Sequence, residues 1–156
     1  MTTTPALVIN QANAAMVKDT IERRAVGNTD VRIEIAYSGI CHSDVHQARE
    51  EWGGSNFPMV PGHEIVGHVI EVGAGVTKFK VGEAVGVGVF VDSCRQCDAC
   101  KSNLESYCEK GPVGAYNGFG YDGSVQHGGY SKEIVTDEHF VLHITDGVNL
   151  AECAPL

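Results

Sequence analysis

Four of the six cysteines lie close together in the segment CRQCDACKSNLESYC, at positions Cys94, Cys97, Cys100 and Cys108. Cysteines with two residues between them can wrap one zinc ion from a tight turn, so this spacing predicts a tetrahedral four-thiolate site. Because protein fills all four coordination positions, the zinc would be structural, in a lobe at about residues 92–110. An iron–sulfur cluster is the alternative, but the Cys-Pro pair of ferredoxin motifs is absent.

A second group of candidate ligands lies in the segments GICHSDVHQ and PGHEIVGHVIEVGAGV. A catalytic zinc takes about three protein ligands and keeps one position open for water or substrate. Cys41 and His63 are natural candidates, and Glu64 could supply a hard oxygen ligand. Taken singly, such a cysteine is more often a small buried hydrophobic residue, and such a histidine a surface residue or a core residue with its hydrogen bonds satisfied. Their joint occurrence beside a zinc lobe favours a site.

Short alternating stretches predict the strands that must position these residues. In VRIEIAYS, Val31, Ile33 and Ile35 fall on one face, as expected for a half-buried strand. Similar strands are predicted in EIVGHVIEV, VGEAVGVGVFV, YSKEIVT and FVLHI. Many short strands separated by glycine turns predict a mainly β, barrel-like domain.

Helix signals are weaker. DVHQAREEW predicts about two helical turns, with Ser43 or Asp44 as the cap, and residues 10–24 could also be partly helical. The G-x-G-x-x-G stretch GFGYDG has no apolar strand before it, and SVQHGGY after it cannot begin a helix. We therefore expect a loop there, and a chance match to the dinucleotide-binding fingerprint.

The bulk properties limit the partners and the compartment. At 156 residues and 43% hydrophobic content, the chain is long enough for one domain with a real core. A formal net charge of −9 repels phosphate backbones and anionic lipids, so neither nucleic acid nor a membrane is an expected partner. No segment looks like a secretory signal, which predicts a cytoplasmic location and metal-binding rather than disulfide-bonded cysteines.

The stretch Gly62-His63-Glu64-x2-Gly67-x5-Gly73-x2-Val76 resembles the zinc signature of the medium-chain alcohol dehydrogenases. The spacing from Cys41 to His63 and the four-cysteine lobe are similar to that family as well. GICHSDVHQ, the following WGG and VGVGVFVDSC resemble its cinnamyl-alcohol-dehydrogenase-like branch. The resemblance implies a GroES-like β-barrel catalytic domain over residues 1–156, with the Rossmann cofactor domain absent from this chain. It also implies oxidation of primary alcohols and reduction of aldehydes with NADP(H).

The resemblance assigns roles to the residues around the second zinc. Cys41 and His63 would be its ligands, and Glu64 the neighbouring carboxylate that binds when water or substrate leaves. Asp44 would orient the zinc-bound histidine.

Four further residues would serve the reaction. Ser43 would contact the substrate oxygen, and His46 would pass its proton to solvent. His42 lies where some relatives place a basic residue near the cofactor pyrophosphate, and Trp52 matches an aromatic residue that narrows the substrate pocket.

The segment AECAPL, the last six residues, contains the sixth cysteine, Cys153. In the branch that the chain resembles, the third zinc-binding cysteine follows a segment like APLL. That ligand is therefore expected about two residues beyond Leu156, and Cys153 is not expected to be it. Three alternatives stay open: Cys153 substitutes, the other three ligands hold zinc with water, or the site stays empty.

The expected activity of this chain follows from the same resemblance. Without the cofactor domain we expect no turnover, and we expect self-association through the apolar wall that this domain would face. The alternative is a free-standing zinc-binding scaffold or interaction module without catalysis. A nucleic-acid-binding zinc ribbon is disfavoured, because no basic patch surrounds the lobe.

Overall fold

A computed structural model of the protein describes residues 1–155; Leu156, the end of the APL segment, lies outside them. The described residues form eleven strands, β1 to β11 in chain order: Thr2–Val8, Val17–Arg23, Asp30–Ser38, Ile65–Val72, Ala84–Val87, Phe90–Asp92, Val113–Gly114, Gly118–Phe119, Val125–Gln126, Glu133–Asp137 and Val141–His143. Three short α-helices, α1 to α3, span His42–Ala48, Asp98–Lys101 and Leu150–Cys153. Single 3₁₀ turns lie at Glu105–Tyr107 and Glu138–Phe140. The fold is mainly β, as predicted.

A five-stranded antiparallel sheet in the order β10-β3-β4-β5-β11 forms the centre of the domain. Val31 and Ile33 of β3 are fully buried and Ile35 nearly so, which confirms the face predicted from their alternation. Two register shifts interrupt the pairing of β3 with β4. Such bulges increase the local twist of a strand, and the sheet curls into a half-barrel.

The hairpin of β1 and β2 corrects the expectation of partial helix at residues 10–24. Residues 17–23 are a strand, paired along their whole length with β1. β1 in turn lies against the segment before β10, where the Leu7 amide donates to Tyr130 O at 2.8 Å and the Lys132 amide to Pro5 O at 2.9 Å. These pairings join distant segments, so they outweigh a weak local helix signal.

Helix α1 begins earlier than predicted and is shorter. Its N-cap is Cys41 rather than Ser43 or Asp44, because the Asp44 carboxylate turns back and accepts the Cys41 amide at 3.0 Å. The helix ends at Ala48, and Glu50 just beyond it adopts a positive φ of 57°. GFGYDG lies around the small β8–β9 hairpin and has no strand–turn–helix context. No helix in residues 1–155 is long and apolar enough to cross a membrane.

Candidate metal centres

The four cysteines of the lobe converge on one point. Their sulfur atoms lie within 4.8 Å of one another; Sγ of Cys100 is 3.4 Å from that of Cys97 and 3.9 Å from that of Cys94. Zinc–sulfur bonds of about 2.3 Å place the sulfurs of a tetrahedral site about 3.8 Å apart. Short local elements produce this arrangement, since Cys97 caps α2 and Cys108 follows the first 3₁₀ turn. The sulfurs therefore suit a zinc ion.

The thiols of the lobe differ in acidity. Burial raises the pKa of Cys108, but hydrogen bonds from the Cys94 amide and the Tyr121 hydroxyl outweigh it and lower that pKa to about 6. The Ser93 hydroxyl lowers the pKa of Cys100, yet burial and the adjacent thiols raise it to about 11. Neighbouring thiols cannot all ionise together without a compensating charge. A divalent cation would supply that charge.

Ion pairs fasten the lobe to the barrel. Arg95 donates to Asp137 of β10 at 2.7 Å, and the His139 ring lies 2.5 Å from a carboxylate oxygen of Glu105. Within the lobe, Arg95 also donates to Asp92 at 2.7 Å. The hydrogen bond with His139 is the main cause that lowers the pKa of Glu105. The lobe therefore has a fixed position relative to the sheet.

The second cluster contains Cys41, His63 and Glu64, whose ligand atoms also lie within 4.8 Å of one another. Cys41 precedes α1, and the other two precede β4. The predicted ligands, 22 residues apart in the chain, are thus brought together. A thiolate, an imidazole and a carboxylate form a donor set that zinc accepts.

Asp44 lies beneath this cluster and is almost completely buried. Its Oδ2 accepts the amide of Cys41 and the hydroxyl of Tyr130, and its Oδ1 accepts the amide of Gly62, each at 3.0 Å. His63 Nδ1 lies 3.6 Å from Oδ1, just beyond hydrogen-bond distance. The carboxylate is therefore beside the histidine that it was predicted to orient.

Two polar atoms at the site are buried and have no hydrogen-bond partner among the described residues: Glu64 Oε2 and Ser43 Oγ. A buried polar group without a partner costs free energy, so such atoms suggest a missing ligand. The carboxylate of Glu64 fits only because Gly39 has no side chain; a Cβ there would lie 2.0 Å from Oε2. A cation beside Glu64 would satisfy its free oxygen, so the residues present fit a zinc ion.

A cavity of about 400 Å³ opens beside the cluster. Its wall includes Ser43, His63, Trp52 and Tyr116. The ring of Tyr116 stacks on that of His63 with centroids 5.9 Å apart. Burial and then the charge of Asp44 raise the pKa of Tyr116. The predicted substrate residues Ser43 and Trp52 therefore line one cavity next to the candidate metal ligands.

His46 lies on the outer side of α1. Its ring stacks between His42, at 4.9 Å, and Trp52, at 4.7 Å, and its Nδ1 is 2.5 Å from Glu51 Oε2. His42 is exposed. His46 is therefore a half-buried group in contact with exposed neighbours, a position compatible with passing protons to solvent.

Two tyrosines at the site were missed by the sequence analysis. Tyr116 and Tyr130 follow no ligand motif, and Tyr130 is 86 residues from Asp44, which its hydroxyl contacts. Burial and the charge of Asp44 raise the pKa of Tyr130, so the hydroxyl stays protonated and donates a hydrogen bond to the Asp44 carboxylate. The one available signal was the pair of glycines before Tyr130, which predicts close backbone approach.

Cys153 ends α3 and is half-buried. It lines a second, largely apolar cavity of about 530 Å³, which also includes His63 and Glu64. Its sulfur is not a member of the cluster that the described ligand atoms form around Cys41. Whether it binds metal stays a prediction.

Comparison with known proteins identifies the family. A profile of the alcohol dehydrogenase GroES-like domain matches residues 27–146, so the chain belongs to this oxidoreductase family. NADP-dependent alcohol dehydrogenase C 1 of Mycolicibacterium smegmatis is 55% identical over 157 residues, which cover 100% of this chain and 45% of that protein.

Solved structures agree with this assignment. A cinnamyl alcohol dehydrogenase of Sorghum bicolor superposes with a TM-score of 0.96 at 40% identity, over 99% of this chain and 44% of that one. The CAD of Helicobacter pylori complexed with NADP(H) gives 0.95 at 43% identity, over 99% and 45%. The predicted fold and family are confirmed, and the chain spans less than half the length of these relatives.

Proposed function

We propose that this chain is the catalytic domain of a zinc-dependent alcohol dehydrogenase that interconverts primary alcohols and aldehydes by hydride transfer to or from NADP(H). The observation that carries the proposal is the convergence of Cys41, His63 and Glu64 beside the cavity that Ser43 lines. NADP(H) rests on the names of the relatives.

The proposed mechanism divides the work among the residues of the site. A zinc ion held by Cys41, His63 and Glu64 would act as a Lewis acid that lowers the pKa of an alcohol hydroxyl. Ser43 Oγ contacts the substrate oxygen and accepts its proton while it releases the hydroxyl's own proton, and His46 passes a proton to solvent. The apolar and aromatic wall, including Trp52, orients the carbon chain. His42, exposed on the same helix, is proposed to lie near the cofactor pyrophosphate.

The lobe has a separate, structural role in this proposal. Its four cysteines hold a second zinc with no free coordination position, and its ion pairs with the barrel keep it in place. Hydride transfer also needs a nicotinamide-binding unit, which we propose lies outside residues 1–156. This chain alone is then expected to bind metal and not to turn over.

The partners and the location of the protein are proposed from its net charge, its cysteines and its exposed apolar side chains. A net charge of −9 disfavours nucleic acid and anionic membranes as partners, and a cytoplasmic location agrees with six unpaired cysteines. Self-association through exposed apolar side chains is proposed as well.

Cobalt(II) titration of the metal-free protein tests the metal site, because thiolate-to-cobalt absorption reports how many sulfurs bind. We expect a tight four-thiolate phase from the lobe and a weaker one-thiolate phase from the second site. Cys97→Ser should weaken the first phase only, and Cys41→Ser should abolish the second only. A protein whose two phases both survive Cys41→Ser would contradict the proposal, and binding confined to the lobe would favour the zinc-binding scaffold.

Two further measurements complete the test. Zinc per chain, measured on the wild type and on Cys153→Ser, shows whether the sixth cysteine takes part; a loss of one zinc would mean that it does. In a protein that joins this chain to a nicotinamide-binding domain, Ser43→Ala should lower kcat by roughly 10²–10⁴-fold, the usual contribution of positioned proton transfer. Unchanged kcat would remove Ser43 from the mechanism.

A further inference from the structure

The two segments that carry the candidate ligands are joined by a single buried carboxylate. Asp44 accepts the amide of Cys41, itself a candidate ligand, and the amide of Gly62, which immediately precedes His63. A buried carboxylate is stable only when its oxygens are hydrogen-bonded, so its donors determine whether this link holds. Two of the donors are main-chain amides of the ligand segments, and the third is the hydroxyl of Tyr130.

Tyr130 is held in place by contacts that do not depend on Asp44. Its amide donates to Pro61 O at 2.9 Å, and its carbonyl accepts the Leu7 amide at 2.8 Å. Its ring packs against a buried apolar cluster that includes Val60. The barrel therefore presents the hydroxyl to the site from a fixed position.

The close approach of Tyr130 depends on Gly62. This glycine has a φ of +101°, and a Cβ on it would lie 2.7 Å from Cδ1 of the Tyr130 ring. The amide of Gly129 also donates to Gly62 O at 2.8 Å. The residue before His63 is thus bound both to Asp44 and to the segment that carries the tyrosine.

The hydroxyl also faces the other ligand segment. Besides Asp44 Oδ2 at 3.0 Å, it lies 3.4 Å from the carbonyl oxygen of Gly39, two residues before Cys41. Because Oδ2 is shared by the hydroxyl and the Cys41 amide, the tyrosine restrains the carboxylate on the side of Cys41. Oδ1 then stays directed at Gly62 and at the ring of His63.

We propose that Tyr130 is a positioning residue of the second metal centre, and that its hydroxyl acts through Asp44 to keep Cys41 and His63 at the separation at which they share one ion. The inference rests on the proposed function, since it takes Cys41, His63 and Glu64 to be metal ligands. Partners of metal ligands typically affect metal affinity by roughly 10–100-fold.

Tyr130→Phe tests the proposal, because it removes only the hydroxyl and leaves the ring in its apolar cluster. We expect cobalt(II) affinity of the one-thiolate phase to fall roughly tenfold while the four-thiolate phase is unchanged. Tyr37→Phe is the matched control, a half-exposed tyrosine on β3. Unchanged affinity of the one-thiolate phase in Tyr130→Phe overturns the proposal.

A second readout needs no metal. In the metal-free protein, NMR of the imidazole nitrogens should show shifted His63 resonances in Tyr130→Phe but not in Tyr37→Phe, and unshifted resonances would contradict the proposal. In a double-mutant cycle with Asp44→Asn, the effect of Tyr130→Phe on affinity should largely vanish, since the two act as a unit. Additive effects would mean that the tyrosine acts only on the fold.

The failure of this inference can be told apart from failure of the proposed function. If the wild-type protein shows no one-thiolate phase at all, the proposed metal site is wrong, and the positioning role falls with it. If that phase is present and Tyr130→Phe leaves it intact, only the role of Tyr130 is wrong.

Discussion

A Cβ on Gly39 would lie 2.0 Å from Oε2 of Glu64, so the carboxylate occupies space that exists because residue 39 has no side chain. The same oxygen has no hydrogen-bond partner among the described residues. Gly39, two residues before Cys41, thus determines whether Glu64 can reach the position of a candidate metal ligand.

Gly39→Ala should displace the Glu64 carboxylate, because the nearest colliding atom, Oε2, is at the end of a flexible side chain. The new Cβ would also lie 3.0 Å from the Glu64 Cβ, so the two segments should separate by a few tenths of an ångström. Loss of a residue that only hydrogen-bonds a metal ligand lowers metal affinity by roughly tenfold or more. Loss of one of the three ligands should therefore weaken cobalt(II) binding at the second site by at least that factor. The lobe should bind as before.

Gly88→Ala is the control for this substitution, because a Cβ there would meet nothing within 4 Å. Equal affinities in Gly39→Ala and the wild type would mean that Glu64 does not bind the metal. If Gly88→Ala lowers cobalt(II) affinity by the same factor, the effect comes from the loss of a glycine in general and not from the displacement of Glu64.

The strands that could be predicted are those whose burial is regular along the chain. In β3 every second residue from Val31 to Ile35 is buried, so the period is visible without any tertiary information. In β2 only Ile21 and Arg23 are buried, and the strand exists because β1 pairs with it. Such pairing depends on the residues of the partner strand, which the pattern within one segment cannot show.

The candidate site divides in the same way. Cys41, His63 and the four lobe cysteines have chemistry and spacing that indicate metal binding, and the structure brings each set together. Tyr130 could not be predicted, because a tyrosine has no ligand spacing and reaches Asp44 from 86 residues away. Cys41 was missed as the N-cap of α1 in the sequence analysis. Ser43 or Asp44 was predicted as the cap, whereas Asp44 lies inside the helix and its side chain accepts the Cys41 amide.

Removing the metal from the lobe should unfold the lobe and leave the barrel folded. Within residues 93–108 only Ser93, Cys100 and Cys108 are buried, so little apolar burial holds the segment. Structural zinc supplies folding free energy directly in such segments. Chelation should therefore increase hydrogen exchange and proteolysis at residues 94–108 while β3 and β4 stay protected. If hydrogen exchange and proteolysis of the lobe are the same with and without chelator, metal does not stabilise the lobe.

The stability of the protein should decrease in acid partly because of His127. Burial, followed by the nearby Arg23 cation, lowers the pKa of His127 from 6.5 to about 4, and its Nδ1 is buried without a hydrogen-bond partner in residues 1–155. Between these values the unfolded chain binds a proton that the folded protein does not, so the free energy of unfolding falls as the pH falls through this window. Above pH 6.5 both states are neutral and the contribution is fully present.

His127→Asn should make the midpoint of urea unfolding less sensitive to pH between about 6.5 and 4. His68→Asn, at an exposed position on β4, is the control and should keep the wild-type pH dependence. If His127→Asn and the wild type lose stability in parallel over this range, the histidine is not the group responsible.

Self-association should occur through the apolar rim of the cavity that contains Cys153. Leu142, Val148 and Val89 line this cavity and are 65%, 46% and 45% exposed, and Leu142 lies on the edge strand β11. Burying one leucine is worth about 1.5–3 kcal/mol, which corresponds to at least a roughly tenfold change in a dissociation constant. Leu142→Glu should therefore weaken association by at least that factor in sedimentation velocity.

Val81→Glu is the control, at a residue that is 63% exposed and outside the cavity lining, and it should not weaken association. A wild-type protein that is monomeric at every concentration would contradict the expectation, and equal weakening by both variants would assign it to net charge rather than to this surface.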